Sequence, residues 1–256
     1  MSALAISLIV FGIVFSAALV GMAVRAALPE RYRDSESKEV VKLAMGMIGT
    51  LSALVLGLVV ATAKSSYDEK NSQVRQMTAR IILLDNLLAQ YGPESAHVRK
   101  LFRQSIDGMV ERVWQEDTSK ERVPFEATTI ALRFFDEIER LSPQTDSQRS
   151  VQTRAIQTAG EIAQTRLLLF SQSGTSIPLP FLLTLVFWLA TLFASFTLVS
   201  QSNLIAIAAL FVSALSFAAA IFLILELDDA FTGLIQIPST LVRNALPPLL
   251  ELPKGL

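Results

Sequence analysis

The stretch Leu43 to Ala63 holds twenty-one residues without one charged side chain. At about 1.5 Å of rise per residue, a helix of that length covers the roughly 30 Å of hydrocarbon in a bilayer. The chain is therefore organised around a membrane crossing. Within it Gly49, Ala53, Gly57 and Ala61 recur every fourth position and fall on one helical face, where small side chains let another backbone come close. No Gly or Pro stands between Gly57 and Gly92, so nothing local stops the helix at the membrane surface. Beyond Lys64 the residues Val74, Met77, Ile81, Leu84, Leu88 and Tyr91 follow at three- and four-residue spacing. That pattern is one apolar stripe with charges opposite. The expectation is a single long helix that leaves the lipid and continues into water.

Three more uncharged segments are long enough to cross. Met1 to Val24 carries no charged side chain, and it lacks the basic start and short apolar core of a cleaved signal peptide. It reads as a retained span from about Ala3 to Val24. Phe181 to Val199 and Leu204 to Leu225 follow later, joined only by the four residues Ser200 to Asn203, which makes them a tight transmembrane hairpin. With 52% hydrophobic and 18% charged residues, the chain belongs with membrane proteins.

Between the second and third spans, Lys64 to Pro178 forms a polar region of 115 residues with no segment able to cross. After the stripe ending at Tyr91, three further amphipathic stretches follow: Val98 to Val113, Phe125 to Leu141, and Val151 to Leu169. Gly92-Pro93, the segment around Pro124, and Ser142-Pro143 separate them as helix breakers. Strand alternation is absent, so the predicted architecture is all-α: four transmembrane helices, a helical extramembrane bundle between spans 2 and 3, and an amphipathic C-terminal tail. The divisions are 1–63, 64–178, 179–226 and 227–256. In the tail Phe231, Leu234, Ile235, Ile237, Leu241, Val242, Leu246 and Leu249 are interrupted by Gly233, Pro238 and Pro247-Pro248. That segment is expected at the membrane interface or against a neighbouring subunit.

Several chemistries are excluded or unsupported. A net charge of −1 and no Lys/Arg run longer than two leave no electrostatic footprint for nucleic acid. With no cysteine there are no disulfides, thiolate metal sites or cysteine nucleophiles. His97 is the one histidine, and a surface position is the ordinary explanation for it. There is no GxxxxGK[ST], GxSxG, HExxH or GxGxxG motif, and the pairs Glu116-Asp117 and Asp136-Glu137 fit solvated helix faces. No catalytic residue, metal or cofactor is expected.

Two functional readings remain. If copies assemble with the second span around an axis, Thr50, Ser52, Gly57 and Thr62 offer hydroxyls or bare backbone to a pore, and Lys64 would ring its mouth. The simpler explanation of the Gly49 to Ala61 face is helix packing. On the same membrane side as Lys64, Tyr67 and Asp68, the fourth span ends in Glu226, Asp228 and Asp229, where the negative end of a helix dipole makes acids unfavourable. A cation, a basic partner or simple solvation would compensate. Acids outnumber bases near these two ends, which leans toward cations. The other reading is a non-conducting sensor or scaffold acting through its helical domain, supported by the size of that domain and by spans free of ionisable residues. Basic residues number five in the first loop (Arg25, Arg31, Arg33, Lys38, Lys42) and about six near the membrane on the other side, so positive-inside counting does not orient the chain.

Two runs resemble a known family. Leu56 to Ala63 followed by Tyr67-Asp68-Glu69-Lys70, and Glu226 to Ile235 with Asp228, Phe231 and Gly233 at its matching positions, are similar to the bacterial bestrophin-like membrane proteins. With the order two spans, helical insert, two spans and tail, the resemblance covers nearly the whole chain. Where the family has Pro before the tail Phe, this chain has Ala230, which removes the fixed φ on which a rigid turn would rest. The resemblance implies a homo-oligomeric anion channel of the bacterial inner membrane with its helical domain in the cytoplasm. Its partners would be membrane lipid, further copies of itself and an inorganic ion.

Overall fold

The computed structural model describes residues 2–27, 35–114, 129–171, 177–200 and 203–246. Pro29, Arg31 and Arg33 of the first loop, Glu116, Asp117, Pro124 and Phe125, Gly174, Gln201 and Ser202, and the tail from Pro247 onward lie outside these residues. Eight α-helices follow in order among the described residues: α1 (Ala3–Ala27), α2 (Ser35–Tyr91), α3 (Ala96–Val113), α4 (Thr129–Glu139), α5 (Asp146–Ser171), α6 (Leu179–Val199), α7 (Leu204–Asp228) and α8 (Thr240–Arg243). No described residue is in a strand. Four of these helices, α1, α2, α6 and α7, are long and apolar enough to cross a membrane. The expected continuous helix is found: α2 runs for 57 residues without a break. It starts before the span and ends where Gly92 takes φ 125, a conformation that a side chain would strain.

The chain divides into two compact units. One contains Met1–Tyr67 and Thr175–Asp229, the other Asp68–Gly174 and Ala230–Leu256. In the membrane unit, Val10, Val14 and Ala18 of α1 pack with Leu185, Val186, Leu189 and Phe193 of α6 and with Ala214 and Ile221 of α7. A second cluster joins Val59 and Ala63 of α2 to Ile224 of α7 and to Ile177. At Gly21, α1 and α6 approach closely. A Cβ there would stand 2.1 Å from Thr197 Oγ1 and 2.4 Å from the Ala194 carbonyl oxygen of α6. No such crowding is found at Gly49 or Gly57, where nothing lies within 4 Å of an added Cβ. The small-residue face of α2 is thus not used for packing inside the subunit. Close approach in lipid needs a facing backbone as well as a small side chain, and only α1 has one opposite its glycine.

The extramembrane unit has a different core. Val74, Met77, Ile81, Leu84 and Leu88 of α2 are almost wholly buried, as their spacing predicts. With them lie Val98, Phe102, Ile106, Met109 and Val110 of α3, Phe134 and Ile138 of α4, and Val151, Ala155 and Ile162 of α5. Side chains close the helix ends. Ser95 donates to the Leu88 and Gly92 carbonyls after α2, Gln148 donates to the Tyr91 carbonyl at 3.1 Å, and Gln152 donates to the Ile138 and Leu141 carbonyls, each at 2.9 Å, beyond α4. Carbonyls that helix termini leave without partners are satisfied this way. The tail also belongs to this unit. Phe231, Ile237 and Val242, expected at the membrane interface or against a neighbour, are buried within the subunit's own fold. Leu234 and Leu241 are exposed.

Candidate functional site

A helix turns about 100° per residue, so Thr50, Gly57 and Lys64, seven apart, lie on one face of α2, and Ser52, Val59 and Ala63 lie on the opposite one. The structure separates these two sets. Ser52, Val59 and Ala63 are buried in the subunit, whereas Thr50, Gly57, Thr62 and Lys64 are exposed. Ser52 therefore leaves the group of pore-facing candidates: its hydroxyl is enclosed behind α2, with no hydrogen-bond partner. The exposed face also carries large apolar side chains, with Leu43, Met47 and Leu54 each at least 66% exposed. Thr50 and Thr62 donate their hydroxyls to the Gly46 and Leu58 carbonyls, both at 2.9 Å. The outward surface at these positions is then methyl and oxygen lone pair, with the donor turned back into the helix.

At the end of the span the Lys64 Nζ lies 5.5 Å from the centroid of the Tyr67 ring, within cation–π range. Asp68 is exposed one turn further on. Helix α7 continues past the predicted Leu225 to Asp228, so Glu226 and Asp228 occupy its last turn, where both are buried, at 7% and 5% exposure. Asp229 follows as the exposed cap, its N–H donating to the Leu225 carbonyl at 3.2 Å. Two carboxylates enclosed at the carbonyl end of a helix face both desolvation and the helix dipole, and a solvated cap does not describe them. Lys70, one of the residues of the first motif, is buried as well.

In the extramembrane unit Phe231 is buried and Gly233 takes φ 92. The turn that Ala230 left without proline is built by other means: the Ile237 N–H donates to the Ala230 carbonyl at 2.8 Å, and Gly233 supplies the left-handed residue the loop requires.

Sequence reasoning missed one charged cluster entirely. Asp85 of α2 is 3% exposed and is gripped by two guanidinium groups of α3. Arg99 donates to its two oxygens at 2.8 and 2.5 Å, and Arg103 at 3.1 and 2.9 Å. Burial pushes the Asp85 pKa up, but the hydrogen bonds and charges of Arg99 and Arg103 outweigh it and hold the carboxyl below its ordinary value. The same bond with Asp85 raises the pKa of Arg99. The available signal was the i, i+4 spacing of two arginines on one face of α3, a fork suited to a carboxylate. A further ion pair, Arg80 to Glu161 at 3.0 Å, joins α2 to α5, and Arg80 also donates to Thr165 at 2.8 Å. No group of acidic or histidine side chains suited to a metal ion occurs among the described residues.

Four apolar spans, an unbroken second helix that runs from one unit into the other, and a tail folded into the extramembrane unit define a class of polytopic helical membrane proteins. Within it, residues 12–241 match the model of the bestrophin-like domain. The chain belongs to the bestrophin-like family. Among solved structures it is similar to single-substitution variants of a bacterial bestrophin homologue from Klebsiella pneumoniae. One has a TM-score of 0.68 at 14% identity, covering 93% of this chain and 96% of that one. A second has a TM-score of 0.66 at 16% identity, covering 91% and 97%. A third has a TM-score of 0.62 at 16% identity, covering 93% and 97%. At these identities the likeness establishes the fold. No curated protein matches the chain.

Proposed function

We propose that the chain assembles with copies of itself into an anion channel of the bacterial inner membrane, with α2 of each copy facing the shared axis. The observation that carries this reading is the uncovered face of α2: Thr50, Gly57 and Lys64 recur at seven-residue spacing opposite the face that packs in the subunit. Membership of a family of channels, not enzymes, supports it. The apolar residues on the same face, Leu43, Met47 and Leu54, would form narrow rings that an ion crosses dehydrated.

Burial revises the charge inventory from which the sign is argued. Glu226 and Asp228 are enclosed, so they do not face water at a channel mouth. Just beyond the lipid α2 exposes Lys64, Asp68, Glu69 and Arg75, two cations and two anions. With these charges balanced, the anion sign of the proposal rests on membership of the bestrophin-like family. Reversal potentials in a chloride gradient across a reconstituted bilayer test this directly. A potential near the chloride equilibrium value is expected, and a cation-selective value overturns the sign. Absence of conductance from a correctly assembled oligomer overturns the channel reading and leaves the anchored scaffold.

A further inference from the structure

Helix α5 changes character within its last two turns. Up to Gln164 its exposed residues are polar or small, among them Arg154, Gln157, Gly160 and Glu161. Beyond Arg166 they are large and apolar: Leu167, Leu168 and Phe170 stand 49%, 44% and 39% exposed, while Leu169 between them is buried. A helix turns about 100° per residue, so Gln157, Gln164 and Leu168 share one side, with Leu167 beside them. Along a single stripe the helix passes from polar to apolar. Three large apolar side chains within four residues form a patch that water disfavours.

The distribution of charge along the chain says what covers the patch. Arg25 directly follows the apolar run of the first span and Lys64 that of the second. On the approach to the third span the last charge is Arg166, and no charged side chain follows until Glu226. The uncharged run therefore begins at Leu167, well ahead of Leu179, where α6 starts. Leu179, Phe181 and Leu183, the next large apolar residues of α6 to be exposed, are at 64%, 48% and 60%, as lipid-facing side chains are. A contact between copies in water needs no such continuity with a span, whereas a helix end that dips into a bilayer sheds its charges where it enters. We infer that the last turn of α5 is a membrane anchor: Leu167, Leu168 and Phe170 enter the boundary between the headgroups and acyl chains of phospholipid, and Arg166 marks the level at which the helix leaves water. The rise from Gln164 to Phe170 is about 9 Å, comparable with the depth of about 5–10 Å to which apolar side chains sink at this boundary. This contact is independent of whether the protein conducts.

The sequence contains no cysteine, so a thiol introduced at one position carries a nitroxide label there alone. Gln157→Cys, Gln164→Cys, Leu167→Cys and Leu168→Cys, each at an exposed position, are made in the full chain and placed in vesicles of phosphatidylethanolamine and phosphatidylglycerol. Collision of the label with oxygen, which concentrates in hydrocarbon, is compared with collision with a nickel chelate, which stays in water. The oxygen-to-nickel ratio should be low at Gln157, begin to climb at Gln164 and stand severalfold higher at Leu167 and Leu168. A rise at either leucine supports the anchor. A ratio at both leucines equal to that at Gln157 leaves the patch in water and overturns it. Exclusion of both reagents at both leucines means that another copy covers the patch, which overturns it as well.

Discussion

The two halves of α2 obey one geometry in two solvents. In water, beyond Tyr67, the inward face is a continuous line of large side chains, Val74, Met77, Ile81, Leu84 and Leu88, while most polar residues other than Lys70 and Asp85 face out. In the membrane the inward face has only Ser52, Val59 and Ala63 fully buried, and Leu43, Met47 and Leu54 face out. Water drives the first arrangement, since each apolar side chain taken from it contributes about 1.5–3 kcal/mol. Lipid supplies no such drive between helices, and shape decides instead. The water half is therefore committed to its partners by hydrophobicity and by one charged cluster, and the membrane half keeps a whole face uncommitted.

The largest effect that would sharpen this contrast belongs to Asp85. Asp85→Asn leaves Arg99 and Arg103 facing each other with no carboxylate between them. Breaking a buried pair in this way costs about 3–5 kcal/mol, with the low end expected because a quarter of the Arg99 side chain is exposed. The thermal transition of the purified protein in detergent should fall accordingly. Acid should reproduce part of this. The folded-state pKa of Asp85 lies below the ordinary 3.8, so its contribution is complete above that value and is lost as pH falls through the lowered one. An Asp85→Asn variant whose midpoint matches that of the native chain would remove the cluster from the account.

Next in size is Gly21→Val, which tests shape in the membrane unit. The added carbons meet the backbone of Ala194, which cannot swing aside as a side chain would, and α1 must move off α6. Overpacking of this kind costs about 1–3 kcal/mol. Smaller still is Glu161→Ala, because both members of its pair with Arg80 are substantially exposed. Such a pair is worth about 0.2–1 kcal/mol and weakens with salt, so denaturation midpoints should shift slightly at low ionic strength and hardly at all in 1 M salt.

How much of this was legible follows the same division. The water half of α2 could be read because apolar and polar residues contrast there, and periodicity marks the inward face at Met77, Ile81 and Leu84. In the membrane half nearly every residue is apolar, so periodicity carries no contrast. The stripe from Gly49 to Ala61 suggested a packing face, and the subunit instead packs through Val59 and Ala63. Gly21 does have a small residue, Ala17, four positions before it, but its importance lies in the Ala194 and Thr197 that face it from a helix far along the chain, and spacing within α1 does not reveal them. Glu226 and Asp228 were legible as an anomaly, but their burial was not, because it depends on α7 continuing one turn beyond the hydrophobic run. Asp85, between Leu84 and Asn86, looked like part of a solvated face until α3 placed two arginines on it.

The smallest expected effect on the fold is also the one that bears most on the uncommitted face. Gly57→Leu adds a large side chain where nothing lies within 4 Å of the new Cβ, and it replaces a residue costly to hold in a helix with a good helix former. Inside one subunit the change should be neutral or slightly stabilising, with the unfolding transition of the monomer in strong detergent unmoved. In the channel proposed above, the same leucine would stand on the face assigned to the axis, one copy from every subunit at a single level, and conductance should fall by an order of magnitude or more, since constrictions lined by bulky apolar side chains gate by excluding water. A stable subunit with lost flux is the combination that the division of α2 requires. A destabilised subunit would mean that the membrane half is packed on both faces after all, and unchanged flux would turn this face toward lipid instead of toward other copies.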